Sequence, residues 1–326
     1  REFTMEYEVG NNPISYNDWQ LMADVRRPDG SKRLVYSNHV GQQILTDLWQ
    51  DEAEDEGPRW VEYTVYNSDA KPTEQYSPAA ITMSGAGAPY AAASGVTPPT
   101  PSIVVQKEAS SGLVRLTEYF PSGDGATYPQ YQKVRRGTAG TVGNQGLFKV
   151  REFTYTKRTI NSGTPTQASL VLPATSIEYR DEASGGSNAS TTTYTYNEFH
   201  AGTNQIKIRT VGLPVVSTSE NGTNTNDTIV EVIDIQGRVT SRTDPRGIPT
   251  TYSYHEMTGA RKQMVEASGS LNVTTDYEAD ALGRTTRALG PAHDIHEADA
   301  TGSTYTLRAN ARTASNARCS NRRPAS

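Results

Sequence analysis

The chain has 326 residues, 31 basic against 36 acidic side chains for a net charge of −5, 34% hydrophobic residues and one cysteine. That balance removes the electrostatic case for nucleic acid or acidic lipid. The lone Cys319 removes an intrachain disulfide framework and a Cys-rich zinc site, and no apolar run approaches the roughly 18 residues needed for membrane insertion.

Mean hydropathy is −0.65, polar for a globule, but the apolar residues fall in short alternating runs, and Tyr (18) outnumbers Phe (5). That is the composition of half-wet pleated surfaces. The chain starts at Arg1 without an initiator Met and reads as a fragment of something longer, so the lack of a signal peptide says nothing about secretion.

Residues 1–83 read as a hairpin region. Pro28-Asp29-Gly30 punctuates "VRRPDGSKRLVYSN", and "WVEYTVYN" alternates Val61, Tyr63 and Val65 against Trp60, Glu62 and Thr64. A helical period competes only in residues 42–56, where Ile44, Leu45, Leu48 and Trp49 share a helical face. Residues 84–110 are Ala/Gly/Pro-rich and are expected to be a linker or long loop. Residues 111–220 carry further strands, "LVRLTEYF", "LFKVREFTYTKRTI", "TSIEYR", "TTTYTYNEF" and "QIKIRTV", separated by Gly/Ser/Asn turns. Residues 221–291 hold the clearest repeats. Residues 292–326 lose both period and large apolar residues and read as a disordered polar tail.

The repeat is the phrase "DIQGRVTSRTDPRG", which returns as "DALGRTTRALGP". Asp at a turn start bonds its own backbone, and Gly supplies the positive φ that closes the turn. Strands of five to six residues with such turns predict a cycle of about 20 to 24 residues. Gly237, Gly259 and Gly283 lie 22 and 24 residues apart. The turn residues are therefore Asp234, Gly237, Arg238, Gly247, Gly259, Asp280, Gly283 and Arg284, with a structural role. Fainter echoes are "YTVYNSDAKPTEQYS" and "YTYNEFHAGTNQ".

These phrases resemble the YD repeat of the RHS family, Tyr-x-Tyr-Asp-x-x-Gly-Arg with a following Gly turn, and the set is similar to the long RHS-repeat proteins of planctomycete-like environmental bacteria. The clear motif covers about residues 194–291. The Tyr of the Tyr-Asp pair is here Ile233, His255 and Ala279. The resemblance implies an all-β fold, repeated antiparallel hairpins in an extended or spiralling sheet of the shell type, on a secreted or cell-surface protein. As partners it implies adjoining repeats of the same longer polypeptide, with surface glycans or an enclosed effector as further ones. No segment matches the family's shell-closing part or a toxin domain.

Chemical candidates are sparse. "HDIHE" sets His293 and His296 at i and i+3, which on a helix could offer two nitrogens to a metal, but it lacks the i, i+4 pair and adjacent Glu of a metalloprotease. The acidic run 51–56 lacks the spacing of a calcium loop. His39, His200 and His255 have no nucleophile in a recognisable setting. The Gly-rich stretch 137–146 lacks the Lys-Ser/Thr of a phosphate loop. No catalytic, metal or cofactor residue is expected, and the function reads as structural or interactive. The alternative is a carbohydrate-binding surface module, using aromatic faces among Trp19, Trp49 and Trp60.

Overall fold

The computed structural model describes residues 3–50, 59–81, 90–91, 104–137, 147–181, 187–296 and 304–310. The protein is all-β, built of repeated antiparallel hairpins. The helical segments among the described residues are two three-residue 3₁₀ turns, Pro78–Ala80 and Thr218–Glu220. By internal contacts the chain divides into unit 1, residues 1–157 and 171–191, and unit 2, residues 158–170 and 192–326.

In unit 1 the strands β1 (Thr4–Val9), β2 (Leu21–Arg26), β3 (Lys32–Ser37), β4 (Gln43–Trp49), β5 (Arg59–Tyr66) and β6 (Pro72–Tyr76) pair antiparallel in chain order. β7 (Tyr90–Ala91) pairs with β8 (Val104–Val105). β6 then pairs with β9 (Leu113–Tyr119), β9 with β10 (Pro129–Arg136), and β10 with β11 (Phe148–Ile160). β11, β12 (Ala168–Asp181) and β13 (Ser187–Phe199) are the long strands, 13 to 14 residues each. Unit 2 continues with β14 (Ile206–Gly212), β15 (Thr228–Ile233), β16 (Val239–Thr243), β17 (Pro249–Tyr254), β18 (Arg261–Glu266), β19 (Val273–Ala279), β20 (Thr285–His296) and β21 (Thr304–Asn310), each antiparallel to the next.

The apolar core lies on one face of β3 to β6 and β9. Trp19, Leu34, Tyr36, Ile44, Leu45, Val61, Tyr76, Ala80, Ile81 and Val114 are buried there. The alternation of β5 sorts as its sequence implies: Val61 is 2% exposed and Trp60 44%. Within that apolar surface Asp47 is fully buried, and the guanidinium of Arg59 donates to both its carboxylate oxygens and stacks on Trp49, 3.9 Å from the ring centre. A buried carboxylate is tolerated because it is paired and hydrogen-bonded.

Three sequence expectations change here. The helical period over 42–56 gives way to strand β4. Ile44 is unpaired between Tyr36–Leu45 and Ser37–Gln43, so a β-bulge turns two consecutive apolar residues, Ile44 and Leu45, into the core. That bulge counterfeits a helical spacing.

Residues 84–110, expected to be a linker or a long loop, do not act as a linker at their described end. Val105 packs on the core, Ile81 bridges to Lys107, and β9 pairs directly with β6, so residues on both sides of the stretch share one sheet. The residues on both sides of 84–110 belong to unit 1. The polar tail does not begin at 292 either: β20 runs to His296 and pairs with β21. Ladder hydrogen bonds come from the main chain and need no apolar side chains. Residues 297–303 and 311–326 lie outside the described residues.

Candidate functional site

The repeated phrase folds into one turn with one set of bonds. At Asp234 the backbone N–H donates to Arg238 O (2.9 Å), and Gly237 N–H donates back to Asp234 O (3.0 Å). The Asp234 side chain accepts from the N–H groups of Gln236 and Arg238 through Oδ1, and from Arg238 Nε through Oδ2 at 2.7 Å. At Asp280 the same bonds recur: Asp280 N–H to Arg284 O (3.0 Å), Gly283 N–H to Asp280 O (2.9 Å), Oδ1 from Leu282 and Arg284, and Oδ2 from Arg284 Nε at 2.7 Å. Gly237 and Gly283 sit at φ +82° and +79°.

The outgoing strand then carries a bulge at a fixed place. Thr240 and Thr286, six residues after each Asp, are the unpaired residues. Their hydroxyls donate to Val232 O and Glu278 O, both at 3.2 Å. The arrangement reappears in unit 1: Asn67 heads a turn closed on Lys71, and Thr73 is the bulge, donating to Val65 O at 3.2 Å. Asn38, Gly41 and the bulge residue Ile44 form a further copy.

Sequence reading noted the Asn67 copy as an echo, but it missed Asn38 and the threonines. The usable signal is an Asp or Asn with a positive-φ residue three further on, Gly at 41, 237 and 283 and Ala at 70, and a bulge six residues after the head, which falls on Thr in three copies and on Ile44 in the fourth.

Gly247 and Gly259 close turns of other kinds. Gly247 (φ +79°) ends the Asp244 turn, whose carboxylate takes the N–H groups of Arg246 and Ile248, and no bulge follows. Gly259 (φ +70°) closes a turn one residue longer, from His255 to Ala260. The turns of unit 2 stand side by side. The Cβ position of Gly237 is 3.5 Å from Gln205 Nε2, that of Gly259 3.9 Å from Arg238, and that of Gly283 3.3 Å from Thr258 Cβ. Their tips expose Ile235, Met257 and Leu282, with Met257 97% exposed.

Each turn carboxylate is already engaged. The backbone N–H of Ile248 holds the Asp244 carboxyl below its ordinary value, and that of Arg284 does the same for Asp280. At Asp234 burial pushes upward, but the N–H and guanidinium of Arg238 outweigh it and the value is lowered. These groups are fixed acceptors, the chemistry of a turn.

The histidines are held by main-chain carbonyls. His39 Nδ1 lies 3.1 Å from Ser15 O, and His200 Nε2 lies 2.9 Å from Ile233 O. His293 and His296 lie in strand β20 and not on a helix. The acidic run 51–56 and residues 138–146 lie outside the described residues. Among the described residues no three His, Cys, Asp or Glu side chains converge as a metal site, and no helix is long and apolar enough to cross a membrane.

Unit 1 also carries a charged aromatic stripe. Lys149 Nζ donates to Glu152 (2.8 Å) and to Tyr179 OH (3.0 Å), and Tyr179 donates to the same Glu152 oxygen (2.6 Å). The carboxylate beside it raises the Lys149 ammonium well above its usual value. Of the tryptophans, Trp19 is buried against Tyr36, Trp49 lies under Arg59, and Trp60 faces outward. A hollow in the same unit is lined by Glu62, Tyr63, Thr64, Gln75, Tyr76, Ser77, Leu113 and Arg115.

The fold and this site define an all-β protein of repeated turn-and-bulge hairpins. No family model matches the chain, and no curated protein matches it. Among solved structures it is similar to chains in the crystal structures of TcdB2-TccC3-Cdc42 and TcdB2-TccC3-TEV, at 8% identity with TM-scores of 0.29 and 0.28, covering 89% of this chain and 16% of each of those. It is also similar to a porin-like protein from Bacteroides uniformis ATCC 8492, at 11% identity and TM-score 0.26, covering 94% of this chain and 93% of that one. The chain thus spans about a sixth of the length of the first two. The RHS likeness rests on the residues of the repeats.

Proposed function

We propose that this chain is a non-catalytic structural and interaction protein, one section of a longer RHS-repeat shell or stalk that is secreted or on the cell surface. The observation that supports it is an imbalance in unit 2. That unit carries the turn-and-bulge hairpin at Asp234 and again at Asp280, yet every fully buried large apolar side chain among the described residues belongs to unit 1. A repeat that encloses no core of its own gains stability from its neighbours, and its role is then geometric.

Duplicating residues 234–279 in place tests this. Stackable repeats accept the insertion, with strand content rising in proportion and the thermal midpoint held or raised. An unfolded product overturns the proposal.

A second reading, a surface module for carbohydrate, is favoured by Trp60. It is the outward-facing tryptophan, and Glu62, two residues further along the same strand, lines a hollow with Gln75 and Arg115. Polysaccharide titration watched by tryptophan fluorescence, with Trp60→Phe as control, decides it: no spectral change, or the same change in the variant, removes the reading.

A further inference from the structure

The sheet of unit 1 buries one face and leaves the other open. Across β2 to β5 the residues Asp24, Leu34, Asp47 and Val61 stand opposite one another and are all buried. The residues that alternate with them point the other way. One outward row runs Met5, Val25, Arg33, Leu48, Trp60, each directly opposite the next on the adjacent strand. The neighbouring row runs Tyr7, Ala23, Val35, Thr46, Glu62. Met5, Tyr7, Trp60 and the flanking Leu21 are 40% to 63% exposed, and Val25, Val35 and Leu48 are half-buried. Five strands about 4.8 Å apart, taken over these rows and that of Leu21, cover on the order of 400 Å², a patch size that marks an interaction surface.

Charge on this surface is sparse and balanced. In the two rows Arg33 is the one cation and Glu62 the one acid, and neither has an ion pair among the described residues. They stand on either side of β4, about 12 Å apart at the main chain. Elsewhere in the unit exposed charges do pair across strands, as in Lys133 with Glu118 and Arg151 with Glu178.

We propose that this face binds the same face of a second copy of the chain, sheet on sheet, in a two-fold dimer. An axis that lies in the interface and bisects the line from Arg33 to Glu62 sets Arg33 of each copy on Glu62 of the other, so both charges are answered at once. Leu48 and Trp60 lie beside that axis and pack on their counterparts. Charge selects this occupant. A lipid surface or an uncharged partner would bury Arg33 and Glu62 without counter-charges, which is costly. A fitting partner brings one acid and one cation at the same separation, and this face carries that pair itself. Pairing covers Trp60, so the face serves the copy or a saccharide, not both. The inference rests on this face and does not depend on the repeat reading above.

Sedimentation equilibrium of the whole chain over a wide concentration range tests it, and a monomer–dimer equilibrium is expected. Arg33→Glu alone, or Glu62→Arg alone, sets like charges opposite each other at both contacts and should weaken the dimer by roughly tenfold or more. Both side chains point away from the core, so strand content by circular dichroism should not change. The two changes in one chain exchange the charges and should restore the dimer. An equimolar mixture of the two single variants should also dimerise, because every Arg again faces a Glu. A parent chain that stays monomeric throughout, single variants that associate as tightly as the parent, or weakened single variants that neither the double exchange nor the mixture rescues would overturn it.

Discussion

Ala70 occupies the turn position that glycine holds at 41, 237 and 283, and it does so at φ +60°. A Cβ in the left-handed region costs about 1–2 kcal/mol, partly offset by the freedom that glycine would add to the unfolded chain. Ala70→Gly is therefore expected to raise stability by about 0.5–1 kcal/mol in denaturant melts. The converse is Gly247→Val, where nothing lies within 4 Å of the added carbon and only φ is at stake; it should cost about 1–3 kcal/mol. Asn at 247 or 237 should be milder than Val, and equal losses would reject the turn-closing role. Gly283→Val adds a steric contact with Thr258 Cβ and should exceed Gly247→Val.

The turn carboxylates also predict an acid limb. Asp234, Asp244 and Asp280 have lowered values, so each contributes stability that is full above the unfolded value of about 4 and is lost as pH falls through the folded value. Asp→Asn at the three positions should flatten the loss of stability between about pH 4 and pH 2. An unchanged slope would place the acid sensitivity elsewhere.

At the scale of an element, the hairpin is defined as much by its bulge as by its turn. Thr240 and Thr286 each add a side-chain bond to the carbonyl two residues before the Asp. Thr240→Val and Thr286→Val keep the shape and remove the bond, and each should cost about 0.5–1.5 kcal/mol by equilibrium unfolding.

The last hairpin makes a different claim. Because β20 pairs with β21 as far as Asn310, a chain ending at Pro291 loses that ladder. Its thermal midpoint should fall by a few degrees relative to a chain ending at Asn310. Identical midpoints would mean that the β20–β21 pairing adds nothing.

For the whole molecule, the uneven distribution of buried apolar residues predicts uneven stability. Unit 1 holds the core and the buried Asp47–Arg59 pair; unit 2 holds half-buried strands. Denaturant melts should show two transitions, so a single free energy of unfolding does not describe the chain. Asp47→Ala removes the buried carboxylate to which Arg59 donates, and should lower one transition by about 1–3 kcal/mol while leaving the other in place. One shared shift would show that the two units unfold together.

The sequence alone determined the strand character, because alternation of Tyr, Thr and Val with polar residues is a local property that no tertiary contact needs to supply. It determined the turns at Asp234 and Asp280 for a similar reason: an Asp bonding its own backbone and a Gly at positive φ act over five residues. The tertiary structure alone decided that Ile44 and Leu45 both face inward, since a bulge is a relation between two strands and is invisible in one. It also decided that Lys107 bridges to Ile81 and that β9 pairs with β6 across the Ala/Pro-rich stretch. The burial of Asp47 rests on Arg59, twelve residues away. Pairing across such separations depends on which surfaces meet, and an unaligned sequence records the surfaces but not their meeting.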